Sequence, residues 1–149
     1  MICVVQRVSE AKVDVDGQTV GRIGPGMLVL AAVQREDTAE DVQWTANKLI
    51  GLRIFRSGDK HFDIDVKQAG GSVLLVSNFT VAGATRKGRR PSFDGAAPPD
   101  MGRKLFDDLV AAVRALGVEV QTGQFGADMK VSLTNDGPAT FIVSSGVKE

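Results

Sequence analysis

The 149-residue chain is 43% hydrophobic and 24% charged, a composition that excludes a disordered or fibrous protein and predicts a packed core. Lysine and arginine together number 18, and so do aspartate and glutamate. No overall positive charge therefore attracts nucleic acid, and any RNA contact has to be a local patch. This length is typical of one domain, and we predict a single domain over residues 1–149.

The cysteine content and the N-terminal segment bear on where the protein works. Cys3 has no second cysteine to pair with, which suits a reducing compartment. The first residues show no basic region ahead of an apolar stretch, and no apolar run approaches the ~20 residues that span a bilayer. We therefore expect a cytoplasmic protein with no membrane contact.

The first half of the chain reads mostly as antiparallel sheet, because short apolar runs alternate with polar residues between glycine-containing turns. Thr38 to Asp41 resembles a helix capping box, and apolar residues follow it at helical spacing. The predicted elements are a strand over residues 2–8, a hairpin over 11–23 that turns at Asp16-Gly17, a buried strand over 27–33, a helix over about 38–51, a short strand over 53–55, and a second hairpin that turns at Ser57-Gly58-Asp59 and continues through 62–66.

The second half combines a core strand, a long polar loop, a helix and three strands. The buried strand over 73–76 runs directly into the polar residues Ser77 and Asn78. Residues 82–99 lack apolar periodicity and form a loop. A helix is predicted over 100–116, with Gly117 as its C-terminal cap. The remaining predicted elements are strands over 118–121, 129–133 and 140–144, with Asn135-Asp136-Gly137-Pro138 as the turn between the last two.

The residue types exclude most conventional catalytic sites. The sole histidine, His61, lies beside Lys60 in a polar turn and reads as a solvated side chain rather than as part of a triad. One cysteine and one histidine do not make a zinc site. The segment Gly21–Gly26 has the wrong spacing for a phosphate-binding loop and leads into a strand. We expect no metal and no cofactor, so the reaction would depend on backbone dipoles, hydroxyls and the substrate itself.

Two segments carry a more specific signal: Ser77-Asn78-Phe79-Thr80 at a strand end, and Asn135-Asp136-Gly137-Pro138-Ala139-Thr140. They resemble the Ser-Gln-Phe-Thr and Asn-X-Gly-Pro-X-Thr motifs of the D-aminoacyl-tRNA deacylase (D-tyrosyl-tRNA(Tyr) deacylase) family. Asn78 departs from the family's glutamine, so its side-chain amide is one methylene shorter than the family's. The likeness runs from Met1 to about Val143, with collinear flanks at Gln6-Arg7-Val8, Gln68–Val73, Arg90–Phe93, Thr122-Gly123 and Ala127-Asp128-Met129.

The resemblance implies a compact α+β domain, with antiparallel-rich, barrel-like sheets and two main helices packed on one side. It implies a homodimer with its active site at the subunit interface. The implied reaction is hydrolysis of the ester bond of D-aminoacyl-tRNA, a chirality proofreading step in translation. We add the hypothesis that glycyl-tRNA mischarged on tRNA(Ala) is also a substrate, because glycine has no side chain to be rejected. The partner is the aminoacylated 3′ end of tRNA, and no DNA is implied.

The motif at the strand end supplies the candidate catalytic residues Ser77, Asn78, Phe79 and Thr80. The backbone amides around Phe79 and Thr80 are candidates for an oxyanion hole. Ser77 and Asn78 would shape the strand end or hold the terminal adenosine. Thr80 is the candidate nucleophile, but no general base is visible to activate it. We therefore favour attack by water, assisted by the ribose hydroxyl of the tRNA.

By resemblance, the Gly137-Pro138 peptide is cis and lies in the active site of the partner subunit. There its carbonyl oxygens would bind the substrate's ammonium, and its backbone wall would exclude an L side chain. The supporting candidates are Arg7, Asn135, Thr140 and Met129. Arg7 would brace the Gly137-Pro138 loop from within, although a surface charge on an edge strand is the alternative.

The loop over 82–99 contains four cations that are candidate tRNA contacts, and a solvated loop is the alternative. They are Arg86, Lys87, Arg89 and Arg90. Two other functions also stay open: a non-catalytic RNA-binding module, and an esterase that acts on small D-amino acid esters. Without the resemblance, the two motifs would read as a capped strand end and a tight turn.

Overall fold

The computed structural model describes residues 1–146. Its strands are β1 (Ile2–Val15), β2 (Gln18–Ile23), β3 (Gly26–Ala32), β4 (Phe55–Ser57), β5 (Lys60–Ile64), β6 (Ser72–Ser77), β7 (Val120–Thr122) and β8 (Lys130–Ser144). Its helices are α1 (Ala39–Gly51), α2 (Pro99–Ala115) and a single 3₁₀ turn, Phe79–Ala82. Among the described residues, no helix has the length and apolar character needed to cross a membrane.

The long strand β1 organises the main sheet. Its first part pairs antiparallel with β3 and its second part with β2, while β8 runs antiparallel along its other edge. Strands β3, β6 and β7 continue the sheet in parallel, and β4 and β5 form a separate hairpin. The predicted α+β fold, with antiparallel-rich, barrel-like sheet and two helices, is confirmed.

The sheet is buried on both faces, and β1 contributes to both. Cys3 and Val5 point towards the helices α1 and α2, whereas Val8, Ala11 and Val13 point into the barrel. The alternation changes phase because Ser9 has no partner in β8: Val8 pairs with Asn135 and Glu10 with Thr134. Such a bulge bends a strand and turns its side chains to the other face. Burial raises the pKa of the Cys3 thiol to about 12, so this thiol is protonated and inert at neutral pH.

The prediction of a turn at Asn135-Asp136-Gly137-Pro138 is wrong. The chain does not reverse there, because β8 pairs with β1 both before and after this segment. The four residues Asp136–Ala139 stand opposite the single residue Arg7 and bulge out of the strand. Turn-forming residues suit a bulge of this kind as well as a hairpin turn. Local composition alone therefore could not distinguish a bulge from a turn.

Other predicted boundaries shift by a few residues. Residues 2–8 and 11–15 are one strand rather than two, and the short strand predicted over 53–55 is Phe55–Ser57. The predicted strand over 118–121 is Val120–Thr122. His61 is exposed within β5 rather than in a turn.

The close approach of β2 to β7 nearly closes the barrel, and Gly21 permits it. A Cβ atom at Gly21 would lie 2.2 Å from the carbonyl oxygen of Thr122. We predict that Gly21→Ala lowers the free energy of unfolding by about 1–3 kcal/mol, because the two strands must separate. Urea denaturation measures this loss. Gly24→Ala is the matched control, since a Cβ there meets no atom within 4 Å. Equal stability of the two variants would contradict this role of Gly21.

Candidate functional site

A largely apolar cavity of about 800 Å³ opens beside the end of β6. It is built from four segments that are far apart in sequence: the residues just after β3, the end of β6, the segment from Phe93 into the start of α2, and the segment before β8. Its lining includes Val33, Ser77, Phe93, Gly102, Phe125 and Met129. This volume lies within the range of roughly 300–1,000 Å³ for small-molecule sites.

Strand β6 delivers the first motif to this cavity. It lies between β3 and β7, and β7 reaches only as far as Leu75, so the last residues of β6 have no neighbour on that side. Ser77 pairs with Ala31 of β3, and the Asn78 backbone N–H donates to the Ala31 carbonyl oxygen at 2.9 Å. The chain then turns into the 3₁₀ helix. Ligands bind at the carboxyl ends of parallel strands in many α/β proteins.

The start of the 3₁₀ helix offers free backbone donors, because the first N–H groups of a helix have no partner within it. Among residues 1–146, the N–H groups of Phe79 and Thr80 have no other protein acceptor. Asn78 and Phe79 line the cavity, whereas Thr80 is exposed and does not. Within the described residues, the motif therefore has an unpaired backbone donor at Phe79, in the cavity wall, and a second at Thr80, beside it.

The Thr80 hydroxyl already has a partner. Its Oγ1 donates to Oδ1 of Asn78 at 2.5 Å. The short amide at position 78 thus folds back on its own motif. An amide oxygen accepts a hydrogen bond but does not take up the proton at neutral pH, so this contact does not activate the hydroxyl as a nucleophile.

An aromatic pair forms the mouth of the cavity. The Phe79 ring is 57% exposed and meets the Phe93 ring edge-on, with centroids 5.3 Å apart. A Cβ at Gly83 would lie 2.9 Å from the Phe93 ring, so glycine at this position allows the pair to form. Exposed aromatic rings beside a cavity are suited to stacking against a nucleobase.

The second motif lies on the other side of β1. Gly137 and Pro138 are exposed, their peptide bond is cis, and neither residue lines the cavity. Thr140 is also exposed, and its hydroxyl accepts a hydrogen bond from Gln6 at 3.3 Å. Of the supporting candidates Arg7, Asn135, Thr140 and Met129, only Met129 lines the cavity. The two motifs therefore do not meet within one chain.

Arg7 holds the bulged segment Asp136–Ala139 of β8 from the buried side of the sheet. Only 2% of Arg7 is exposed, so it is not a surface charge. Its Nε donates to the Asp136 carbonyl oxygen at 2.7 Å, and its Nη1 donates to the carbonyl oxygens of Ile54 and His61. Burial lowers the pKa of Arg7 from its ordinary value, and the nearby Arg56 guanidinium adds to this. An arginine nevertheless stays protonated, so these hydrogen bonds are charge-assisted.

Asn135 closes the base of this bulged segment. Its Nδ2 donates to the carbonyl oxygens of Arg7 at 3.2 Å and Ala139 at 3.0 Å, and its Oδ1 accepts from the Ala139 N–H. A side chain on Gly137 would collide with this arrangement, because a Cβ there lies 2.1 Å from the Ala139 nitrogen. The loop is held rigidly while its Gly137-Pro138 tip faces outward.

Sequence reasoning missed several parts of the cavity, namely Arg35, Gly102 and the role of Phe125. Phe93 appeared only as a flank of the first motif. A local signal did exist, because Phe93 and Phe125 are aromatic residues in polar, glycine-containing segments, and Gly102 interrupts a helical pattern. Nothing in the sequence showed that these segments meet.

Fold and cavity together define an α+β protein with a candidate ligand site at the end of a parallel strand, where unpaired backbone donors and aromatic rings lie together. A family model described as D-Tyr-tRNA(Tyr) deacylase matches residues 4–144. The chain belongs to this family of D-aminoacyl-tRNA deacylases.

Individual relatives agree with this assignment. A D-aminoacyl-tRNA deacylase of Geobacter sulfurreducens is 54% identical over 97% of this chain and 95% of its own length. One from Pelobacter propionicus is 53% identical over 96% of this chain and 99% of its own length.

Solved structures share the fold. The c-Myc DNA Unwinding Element Binding Protein is 33% identical, with a TM-score of 0.94 over 99% of this chain and 100% of that protein. A probable eukaryotic D-amino acid tRNA deacylase is 19% identical, with a TM-score of 0.84 over 95% and 97% of the two chains. At that identity, the second match speaks for the fold alone.

The bracing by Arg7 is testable. Arg7→Lys keeps the charge, but one ammonium group cannot replace the two guanidinium nitrogens that donate to three separate carbonyl oxygens. We therefore predict a loss of about 1–3 kcal/mol in the free energy of unfolding. Hydrogen exchange at the Ala139 amide should accelerate with it. Arg56→Lys is the control, because Arg56 is exposed and, among the described residues, its guanidinium bonds only with the side chains of His61 and, at 3.5 Å, Asp136, and not with the backbone of the loop. If both variants behaved like wild type, Arg7 would not hold the loop.

Proposed function

We propose that this protein hydrolyses the ester bond of D-aminoacyl-tRNA, releasing a free D-amino acid and tRNA in a proofreading step of translation in the cytoplasm. The observation that carries the proposal is the family match over residues 4–144. The cavity beside β6 would be the place of the reaction, because it is large enough for the terminal adenosine and its ester. The single domain predicted over residues 1–149 would be the whole working unit of each subunit.

The chemistry follows from the free amides at the start of the 3₁₀ helix. Attack on the ester carbonyl creates an oxyanion, and the N–H groups of Phe79 and Thr80 would stabilise it. One such donor typically contributes about 10²–10³ in kcat. Because these donors belong to the backbone, the replacement of the family's glutamine by Asn78 leaves them in place. The Ser77 side chain and the Phe79 ring would then hold the adenosine.

Attack by water fits the geometry better than attack by Thr80. The Thr80 proton is held by Asn78, and the sole histidine lies in β5, outside the cavity lining. The vicinal ribose hydroxyl of the terminal adenosine lies next to the ester by its own covalent structure. It would orient the water and take part in the proton transfer.

Selection for D-amino acids would come from a second copy of the chain. Gly137-Pro138 is exposed and braced by Arg7, so its backbone is available to another subunit and not to its own cavity. Exposed apolar side chains lie nearby, with Ile142 75% and Phe62 51% exposed, as expected for a surface covered in a homodimer. The backbone wall would reject an L side chain and accept glycine.

Two other functions fit less well. A non-catalytic RNA-binding module would not need a cavity of this size or free amides within it. An esterase for small D-amino acid esters would not need the exposed aromatic pair at the mouth. Neither alternative has an observation that favours it over tRNA ester hydrolysis.

A single assay with four substrates tests the main proposal: D-aminoacyl-tRNA, L-aminoacyl-tRNA, glycyl-tRNA and a free D-amino acid ester. We expect rapid release from the D-aminoacyl and glycyl substrates, with the other two largely intact. Equal hydrolysis of the free ester would indicate a small-ester hydrolase. Binding of tRNA without any release would indicate an RNA-binding module.

The attacking group can be identified separately. Thr80→Val removes the hydroxyl at nearly constant volume, and we predict that kcat stays within about tenfold of wild type. A 2′-deoxy terminal adenosine should instead lower kcat by about 10²-fold or more, because the assisting hydroxyl is lost. Single-turnover rates measure both effects. The opposite pattern would make Thr80 the nucleophile.

Sharing of the site between subunits can be tested by complementation. Gly102→Leu should fill the cavity, whereas Gly102→Ala, whose Cβ meets Phe125 at an ordinary 3.8 Å, should stay active. Gly137→Ala should distort the loop offered to the partner. We predict that each of the two disruptive variants is inactive alone. A doubly tagged heterodimer of the two should regain about half of wild-type activity, because one of its two sites is intact. An inactive heterodimer would place both parts of a site in one chain.

A further inference from the structure

A loop rich in cations begins beside the cavity mouth. Ala84 and Ser92 exchange backbone hydrogen bonds at 2.7 and 2.8 Å, which closes the segment between them, and Gly88 has a positive φ of 68° at its centre. Four exposed cations project from this segment, which we name the basic loop: Arg86, Lys87, Arg89 and Arg90. Within residues 1–146, none of them forms an ion pair with a carboxylate.

The base of the basic loop is part of the cavity wall. Phe93 follows Ser92 directly, lines the cavity and packs against Phe79. From this fixed base, four residues of extended chain reach at most about 13–14 Å. The loop cations therefore lie close enough to contact a ligand that continues outward from the cavity.

Arg35 connects the cavity to the basic loop. It lines the cavity, its backbone N–H donates to the Gly95 carbonyl oxygen at 3.0 Å, and its Nε donates to the Asp94 carbonyl oxygen at 2.5 Å. The first bond holds the backbone of Arg35 and the second holds its side chain at Nε, which leaves the terminal nitrogens to bind a ligand. Asp128 also lines the cavity, but within the described residues it forms no ion pair with Arg35.

We propose that Arg35 and the basic loop bind consecutive phosphates of the tRNA 3′ end. Arg35 takes the phosphate that joins the last two nucleotides, and the basic loop takes the phosphates that precede it. The inference rests on the proposed function, because it assumes that the terminal adenosine enters the cavity. The chain has no net charge, so a local patch of this kind has to supply the attraction to RNA. Phosphate contacts of this type set the register of the bound nucleic acid.

Three substrates with increasing numbers of phosphates test the proposal: D-aminoacyl-adenosine with none, D-aminoacyl-CpA with one, and D-aminoacyl-tRNA. Arg35→Gln should raise KM about tenfold or more on the second and third and leave it unchanged on the first. A variant with all four loop cations changed to glutamine should raise KM only on the tRNA. A control variant removes the same charge elsewhere, at Arg22, Lys48, Arg53 and Lys104.

Salt dependence gives a second measurement. Contacts of the four loop cations with phosphates of a single-stranded 3′ end would make kcat/KM on tRNA fall by about 50-fold between roughly 50 and 200 mM salt, and the loop variant should lose most of this dependence. The control variant should keep it.

The outcomes separate this proposal from the proposed function. If wild type hydrolysed none of the three substrates, the proposed function would fail. If wild type hydrolysed them but the loop variant had the same KM on tRNA as the control variant, the basic loop would be merely solvated. The proposal that Arg35 and the loop bind consecutive phosphates would then be overturned. An equal loss on all three substrates for Arg35→Gln would make Arg35 structural.

Discussion

The pairing of β8 with the whole length of β1 is the constraint on which the rest of the structure depends. Because β8 pairs on both sides of Arg7, the four residues Asp136–Ala139 have to leave the sheet opposite this one residue. The buried guanidinium then satisfies the carbonyl oxygen of Asp136, together with carbonyl oxygens at Ile54 and His61. One arginine thus ties the outer loop to the β4–β5 hairpin and to the sheet.

The same sheet separates the two motifs, which we propose to be the two halves of a site shared between subunits. Across β1 and β3 from the Gly137-Pro138 loop, the end of β6 carries Asn78 and Phe79 into the cavity. The cavity supplies backbone donors and aromatic rings, and the loop supplies a rigid exposed backbone. In the proposed function, neither half would need a general base or a nucleophile pair. The parts of this site are positioned by backbone hydrogen bonds, and an activated ester needs charge stabilisation more than a strong base.

Much of the fold was readable from local patterns. The capping box at Thr38 and Asp41 marks the start of α1, and the apolar stripe over 100–116 marks α2, which begins at Pro99. The change from the buried run Val73–Val76 to polar residues placed the first motif correctly at a strand end. The second motif was misread as a turn, because glycine, proline and asparagine suit both a hairpin and a bulge. Only the strand that pairs with the flanks distinguishes the two.

The sequence by itself determined the element types, the apolar core and the two motifs, because these depend on residues close together in the chain. Only the tertiary structure decided that Arg7 is buried behind Asp136, since its partners come from Ile54 just before β4, from β5 and from β8. Only the tertiary structure joined Arg35, Phe93, Gly102 and Phe125 around one cavity. Each of these contacts links segments that are far apart in sequence, and such contacts leave no periodic signal in either segment.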